Sequence, residues 1–304
     1  MQVFVRVVES GALTRAADSL QIPKATATTL IQQLEAALGV KLLNRTTRSV
    51  SVTTDGAAYY PRCVAILDQI RETEESLAKR HAAPGGRLRV DAPTLMARLV
   101  IVPALPAFFA RYPEIDLQLG SSERRADLIE EGVDCAVWSG ELEDSTLIAR
   151  RVGQLYFGTC AAPSYLAARG QPHHPDELSA HHCINHFSPR TGKIFDWVFA
   201  KNGVRLQTSL RGPIALDDEN SYLAAAEAGL GIAQIPAFVL KEALERGSLE
   251  LVLGDWFPEP APLNVVYPEN RHLSSKIRVF VDWVAELFAE HDGIQLRSTL
   301  RRPT

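Results

Sequence analysis

Lys24, Ala25, Thr26, Thr28, Thr29 and Gln32 crowd the start of one amphipathic segment, and Arg45-Thr46-Thr47-Arg48 stands further on. Short hydroxyl, amide and methyl groups on one helical face suit base edges in a major groove, where a carboxylate would repel phosphate. Arginines on either side of two threonines can clamp backbone phosphates beside that face or reach a minor groove. The chemistry on offer is recognition of double-stranded DNA. A solvated, threonine-rich helix pair in an ordinary core is the competing reading, and it leaves the basic segment unexplained.

These side chains need a defined local fold. Leu13, Ala16, Ala17 and Leu20 recur at helical spacing, Gly11 stops the helix before them, and Thr14 is expected to cap the next helix and touch phosphate. Gln21-Ile22-Pro23 predicts a tight turn, with Pro23 preset for the first turn of a helix running to Leu38. That helix is expected to bury Ala27, Leu30, Ile31, Leu34 and Leu38. Gly39 ends it, and Leu42 to Arg48 with Val50 to Thr53 reads as a small basic hairpin, or wing. Net charge is −4, yet residues 1–80 hold ten Lys/Arg against eight Asp/Glu, which leaves −6 on the remainder. A mildly basic head on an acidic body directs nucleic acid to one end.

Asp55 to His81 predicts one long helix whose Tyr60, Val64, Leu67, Ile70 and Leu77 form a narrow seam. Such a seam suits a partner helix, or alternatively packs on the chain's own body. His81-Ala82-Ala83-Pro84-Gly85-Gly86 reads as a hinge. From Arg87 strands and helices alternate as far as a helix over Ser274–Ala289, which predicts a mostly parallel sheet with crossover helices. Within it, helices are expected at Leu95–Tyr112 and Ala126–Glu131, and a strand at Leu155–Cys160. The apolar stretch Leu99–Ala110 carries Pro103 and Pro106 and is too short to span a bilayer. No secretory signal pattern is apparent, so a cytoplasmic location without membrane association is expected.

Other constellations point away from catalysis. Cys63, Cys135, Cys160 and Cys183 are widely spaced and read as reduced core residues, with a peroxide-sensing pair as the alternative. Gly229-Leu230-Gly231 follows a predicted helix and precedes a strand, the reverse of a dinucleotide turn, and reads as a helix end. Gly192-Lys193 lacks the rest of a phosphate loop. His173, His174, His181, His182 and His186 match no zinc spacing and read as a surface loop. No nucleophile or paired-carboxylate motif is present, so neither an enzyme, a metal nor a cofactor is expected.

The segment FVRVVESGALTRAADSLQIPKATATTLIQQLEAALGVKLLNRTTRSVSVTTDG, Phe4 to Gly56, resembles the LysR family of bacterial transcriptional regulators. The resemblance continues through GRLRVDAP, YPEIDL, DLIEEGVDC and AGLGIAQIP, nearly to the end of the chain. Relatives often open the recognition helix with Ser-Gln-Pro-Ala and place an Arg after its hydroxyl residue. Here Pro23, Lys24, Ala25, Thr26 and Thr29 hold those positions, so the base sequence read is expected to differ. Relatives begin the first helix about two turns earlier (roughly 3.6 residues each), so Met1 is read as a misassigned or trimmed start.

The resemblance implies a winged helix-turn-helix over residues 1–54, a linker and dimerisation helix with its hinge over 55–86, and a two-lobed, periplasmic-binding-protein-like α/β effector domain over 87–292. Lobe one would be 87–160 with 263–292, lobe two 161–262, and 293–304 a tail. Ligands in open α/β sheets bind where strands end and helix N-termini begin. Thr94, Leu95, Ser121, Ser122, Trp138, Ser139, His186, Phe187 and Ser188 occupy such places and would suit a small organic or aromatic acid. Helix capping alone is the plainer role for Thr94 and Ser121. Implied partners are a dyad-related DNA operator, a second copy forming a homodimer that pairs into a tetramer, a small-molecule effector, and RNA polymerase. A solute-binding protein or enzyme on the same two-lobed fold is the competing class, and a regulator weakened by its short first helix is a third.

Overall fold

The computed structural model describes residues 1–45, 50–78, 83–142, 146–269 and 274–295. Helices α1 (Gln2–Ser10), α2 (Leu13–Ser19) and α3 (Lys24–Leu38) precede a hairpin of β1 (Leu43–Arg45) and β2 (Val50–Val52), and α4 (Thr54–Ala78) follows. Then come β3 (Gly86–Ala92), α5 (Thr94–Met96), α6 (Val102–Arg111), β4 (Ile115–Ser121), α7 (Leu128–Glu131), β5 (Cys135–Ser139), β6 (Leu147–Leu155), β7 (Phe157–Ala161) and α8 (Pro163–Arg169). The chain continues with β8 (Asn185–His186), β9 (Trp197–Lys201), β10 (Val204–Thr208), β11 (Ala215–Leu216), α9 (Glu219–Glu227), β12 (Ala233–Pro236) and α10 (Ala237–Glu245). Strands β13 (Glu250–Leu251), β14 (Phe257–Pro258) and β15 (Ala261–Pro268) lead to α11 (Ser275–Glu290) and α12 (Asp292–Gln295). The chain forms two compact units, Met1–Ala83 with Ala126–Asp134, and Pro84–Arg125 with Cys135–Thr304.

In the first unit Phe4, Val5, Val7, Ala16, Ile31, Leu42, Leu43 and Cys63 make one core. Gly11 and Gly39 end α1 and α3 in the left-handed conformation that glycine adopts without strain. The N-cap of α2 is Ala12, so Thr14 sits inside the helix with its side chain exposed and caps nothing. Along α3 the buried residues are Ala27, Ile31 and Glu35, with Leu34 packed at the edge, whereas Leu30 and Leu38 are each 42% exposed. The apolar stripe is therefore narrower than a count of apolar positions suggests, because a carboxylate takes the place facing the hairpin.

Helix α4 departs from the expected seam. Tyr60, Val64 and Leu67 pack against the unit's own core beside the fully buried Cys63, and Tyr59 leans on Phe4 at 5.9 Å. Ile66 and Ile70 remain 40% and 50% exposed. The first half of the seam thus serves the chain's own body, and the side chain of Leu77 lies outside the described residues. Gly56 allows the crossing of α4 over the hairpin: a Cβ there would stand 2.1 Å from the Leu42 carbonyl oxygen. Helix α7, expected in the effector domain, clusters with this first unit, where Gly132 abuts Pro61.

The second unit is mixed rather than mostly parallel. Its five-stranded sheet has the order β4-β3-β5-β15-β6, with β3 parallel to β4 and β5, and β15 antiparallel to β5 and β6. Strand β6, unforeseen in the sequence, pairs along the length of β15 and ends at Leu155, and β7 joins a second sheet, β12-β7-β13, that is antiparallel. The crossing between the sheets falls at Tyr156, inside the segment expected to be one strand. The chain returns between Pro258 and Ala261. Thr94 to Arg111 runs as one helix with a π-helical stretch at Ala97–Ile101. It is long and apolar enough to cross a membrane by length and composition, yet Leu95, Met96, Ala97, Val100, Ile101 and Phe108 all enter the unit's main core.

Candidate functional site

The first-turn N–H groups of α3 open outward beneath Pro23, and no acidic residue stands among them. A helix N-terminus of this kind carries partial positive charge and favours phosphate. Lys24, Ala25, Thr26, Thr29 and Gln32 are exposed and Thr28 is half-buried. The hydroxyls of Thr28 and Thr29 donate back to the carbonyls of Lys24 and Ala25, both at 3.0 Å. With its proton engaged, each hydroxyl presents lone pairs to a base amino group and a methyl to thymine. Thr14 is exposed on α2.

The hairpin forms as expected, with Leu43 opposite Val52 and Arg45 opposite Val50. Thr46, Thr47 and Arg48 lie outside the described residues, as does the side chain of Arg45. What anchors the hairpin is a residue that sequence reasoning missed. Glu35, 4% exposed, accepts the Leu42 and Leu43 N–H groups at 2.9 and 3.2 Å and pairs with Lys41 Nζ at 3.1 Å. Burial alone would raise its carboxyl, but the two backbone donors and Lys41 outweigh it and hold the group below its ordinary range. Helix α3 and the hairpin are thereby joined through one buried charge. Thr53 adds a second tie, donating to the Lys41 carbonyl at 2.7 Å and accepting the Gly56 N–H at 3.0 Å.

In the second unit the nine expected effector residues fare differently. Only Thr94 begins a helix, and its N–H donates to Glu123 Oε1 at 3.0 Å. Leu95 is fully buried in the core. Ser121 and Ser122 lead into irregular chain, because the helix expected at Ala126 starts at Leu128 with Asp127 as its cap, so neither serine caps it. The Ser122 hydroxyl donates to the Arg124 carbonyl at 2.9 Å. Trp138 and Ser139 end β5, with the Arg125 guanidinium 5.2 Å above the indole and donating to the carbonyls of Ser139 and Glu141 at 3.0 Å each. His186 stacks on Phe195 at 5.7 Å and meets the edge of Tyr222 at 5.7 Å, while Phe187 and Ser188 enter a turn rather than a helix.

Trp138 Nε1, His186 Nε2 and Glu219 Oε2 are buried atoms with no hydrogen-bond partner among the described residues. Burial keeps His186 below its ordinary value despite Asp217 and Asp218. Burial, then the charges of Glu123 and Asp218, push Glu219 up to about 7. Glu219 escapes a reading that starts the helix at Ser221, although Asp218 three residues before that serine is a strong N-cap signal. A surface groove of about 390 Å³ between Tyr112, Arg150 and Trp283 involves none of the nine residues.

All four cysteines are buried, and burial pushes Cys183 up to about 12 and Cys160 higher still. Undissociated, shielded thiols are poor peroxide targets, so in this conformation Cys160 and Cys183 fit the reading as core residues. Among the described residues no three His, Cys, Asp or Glu side chains converge as metal ligands. His174 instead packs edge-on against Trp256 at 4.9 Å, and His181 lies tilted against Tyr165 at 5.9 Å.

Comparison with known proteins bears on both units. Residues 1–57 match the family profile "Bacterial regulatory helix-turn-helix protein, lysR family", and residues 81–289 match "LysR substrate binding domain". An HTH-type transcriptional repressor of Pseudomonas aeruginosa (strain UCBPP-PA14) is 43% identical, covering 97% of this chain and 93% of its own. The solved structure of CrgA, a LysR-type transcriptional regulator from Neisseria meningitidis, is similar with a TM-score of 0.59 at 34% identity, over 93% of this chain and 96% of that one. The full-length structure of the Vibrio cholerae virulence activator AphB gives 0.57 at 33% identity, over 93% and 97%.

Proposed function

The chain belongs to the LysR family of bacterial transcriptional regulators, and from that premise we propose a sequence-specific operator-binding protein whose second unit takes a small-molecule effector. It is a regulator with a helix-turn-helix DNA-binding domain, not an enzyme. Lys24, Ala25, Thr26, Thr28, Thr29 and Gln32 face bases, and Thr14, Arg45, Thr46, Thr47 and Arg48 hold phosphates or reach the minor groove. The observation that carries this reading is the carboxylate-free N-terminus of α3, tied to the hairpin through Glu35. Residues 1–54 act on DNA, 55–86 link and dimerise, and 87–292 form the effector domain.

A homodimer presents two recognition helices to major-groove faces about 34 Å apart or a multiple of it, and pairing of dimers gives a tetramer that bends the operator. A ligand acts by its differential affinity for the arrangements of the second unit, shifting their populations and hence the bend seen by RNA polymerase. The protein works in the cytoplasm. Selection of bound duplexes from a random pool tests the reading: a dyad-related site is expected, and enrichment of a single asymmetric half-site would overturn it.

A further inference from the structure

Residues 126–134 lie between β4 and β5 in the chain, yet they cluster with residues 1–83 and the helix-turn-helix. Both flanks of this stretch are tied into the second unit. Upstream, Glu123 Oε1 accepts the Thr94 N–H at 3.0 Å, and the Arg125 guanidinium donates to the carbonyls of Ser139 and Glu141 at 3.0 Å each. Downstream, Cys135 opens β5 and pairs with Val90 of β3. The chain therefore leaves the second unit shortly after one strand of its sheet and returns at the head of another.

Between these anchors the stretch is a small, closed body. Asp127 Oδ1 accepts the N–H groups of Ile129 and Glu130 at 3.1 and 2.9 Å, and Glu131 Oε1 accepts the Asp127 N–H at 3.1 Å. The Val133 N–H closes the other end on the Leu128 carbonyl at 2.9 Å, so α7 is capped at both ends. It packs on α4, where Pro61 interrupts the helix ladder. A Cβ at Gly132 would stand 2.9 Å from Pro61 Cβ and 3.3 Å from the Pro61 carbonyl oxygen, so the contact needs a glycine. Arg62 Nη2 meets Glu130 Oε1 at 3.8 Å, an exposed pair that adds direction more than strength. The same turn of α4 holds the head, because Cys63 is fully buried in the first unit's core and Tyr59 leans on Phe4 of α1.

We infer that residues 126–134 are a coupling arm, which docks on α4 at Pro61 and Arg62 and carries movements of the β4 and β5 strand ends to the DNA-binding helices. Docked, the arm steadies the turn of α4 that packs on α1; released, it leaves that turn to the head alone. Its regulatory use rests on the effector-binding reading above, and it supplies the element that both ends of the molecule bias.

Hydrogen exchange of the full chain over residues 57–66 reports the docking, and anisotropy on a duplex selected from a random pool reports its consequence. Gly132→Asn is the direct variant, because asparagine tolerates the left-handed backbone while its Cβ meets Pro61. Exchange over 57–66 should rise about fivefold and affinity for the selected duplex fall about threefold, with exchange in β3 unchanged. Arg125→Met removes the upstream anchor and should raise exchange over 57–66 about twofold, yet add nothing in the Gly132→Asn background. Arg62→Glu or Glu130→Arg alone should raise exchange about twofold and the double reversal restore it, which judges the docking even if Gly132→Asn fails to fold. Unchanged exchange over 57–66 in every variant, additive effects of Arg125→Met and Gly132→Asn, or raised exchange with unaltered duplex affinity would overturn the inference. The parent protein separates the two readings. If it binds the selected duplex while α4 ignores these variants, only this inference is lost; if it selects no duplex, the regulatory reading is lost.

Discussion

At the head of α3 the first turn holds no acidic residue, whereas at the head of α9 Asp218 caps Ser221 and Glu219 stands in the first turn. Both are helix N-termini with the same backbone dipole, yet one is open to an external anion and the other is already filled by internal ones. The same local geometry is thus left open in one case and capped in the other, and the side chains within a turn of it decide which. In the first unit the buried carboxylate sits away from the open end, at Glu35, where it orients the hairpin. In the second, the carboxylates occupy the end itself.

The contrast can be tested by substitution, and the largest effect is expected at Gly56. A Cβ 2.1 Å from the Leu42 carbonyl oxygen cannot be accommodated without moving backbone, so Gly56→Val should unfold the first unit and abolish operator binding. Circular dichroism melts and gel shifts would show both losses; a native-like melt would refute the close crossing. Glu35→Ala comes next. Two buried N–H groups lose their acceptor, at about 1–3 kcal/mol each, and Glu35→Gln should recover part of the loss by keeping one acceptor oxygen. Urea unfolding would read this, and equal Ala and Gln variants would contradict the tie between helix and hairpin. The contribution of Glu35 is present above its ordinary 4.5 and lost as pH falls through its lowered value.

Glu219 has the opposite sign. Its carboxyl is raised from 4.5 to about 7, so between those values the folded chain keeps a proton that the unfolded chain has lost. Raising pH across that window should lower stability, by at most ~1.4 kcal/mol per pH unit. Glu219→Gln should flatten that slope, as urea midpoints at several pH values would report; an unchanged slope would mean Glu219 is not the group responsible. The smallest effects divide reader from clamp. Thr29→Ala should change which base pairs are preferred, by about 1–3 kcal/mol per position, while Arg48→Ala should weaken all duplexes alike and reduce the salt slope by about one. Identical behaviour of the two variants would end that division.

The order of elements in the first unit was legible because its signals are local: Gly11, Gly39, Pro23 and the apolar spacing along α2 and α3. Glu35 was not, since a carboxylate in a buried stripe reads as an error until the hairpin N–H groups it accepts are known to arrive there. In the second unit the alternation of elements was legible but the strand directions were not. Strand β6, with Arg150 and Arg151 in its middle, lacks the apolar run of a buried strand, and its pairing with β15 is set by residues more than a hundred positions away. The expectation that strand ends feed helices did not hold at Ser121, Trp138 and His186, because the chain passes there into turns and irregular stretches that no local signal announced.

Fluorescence anisotropy of the full chain on a duplex from the selected pool, competed with heparin across a salt series, is the most direct measurement. The selected duplex should resist heparin at moderate ionic strength far better than a scrambled duplex, and Lys24→Glu, which places a carboxylate at the open end of α3, should erase that preference. Equal displacement of both duplexes, or a Lys24→Glu protein that discriminates as well as the parent, would show that α3 and its hairpin do not read DNA.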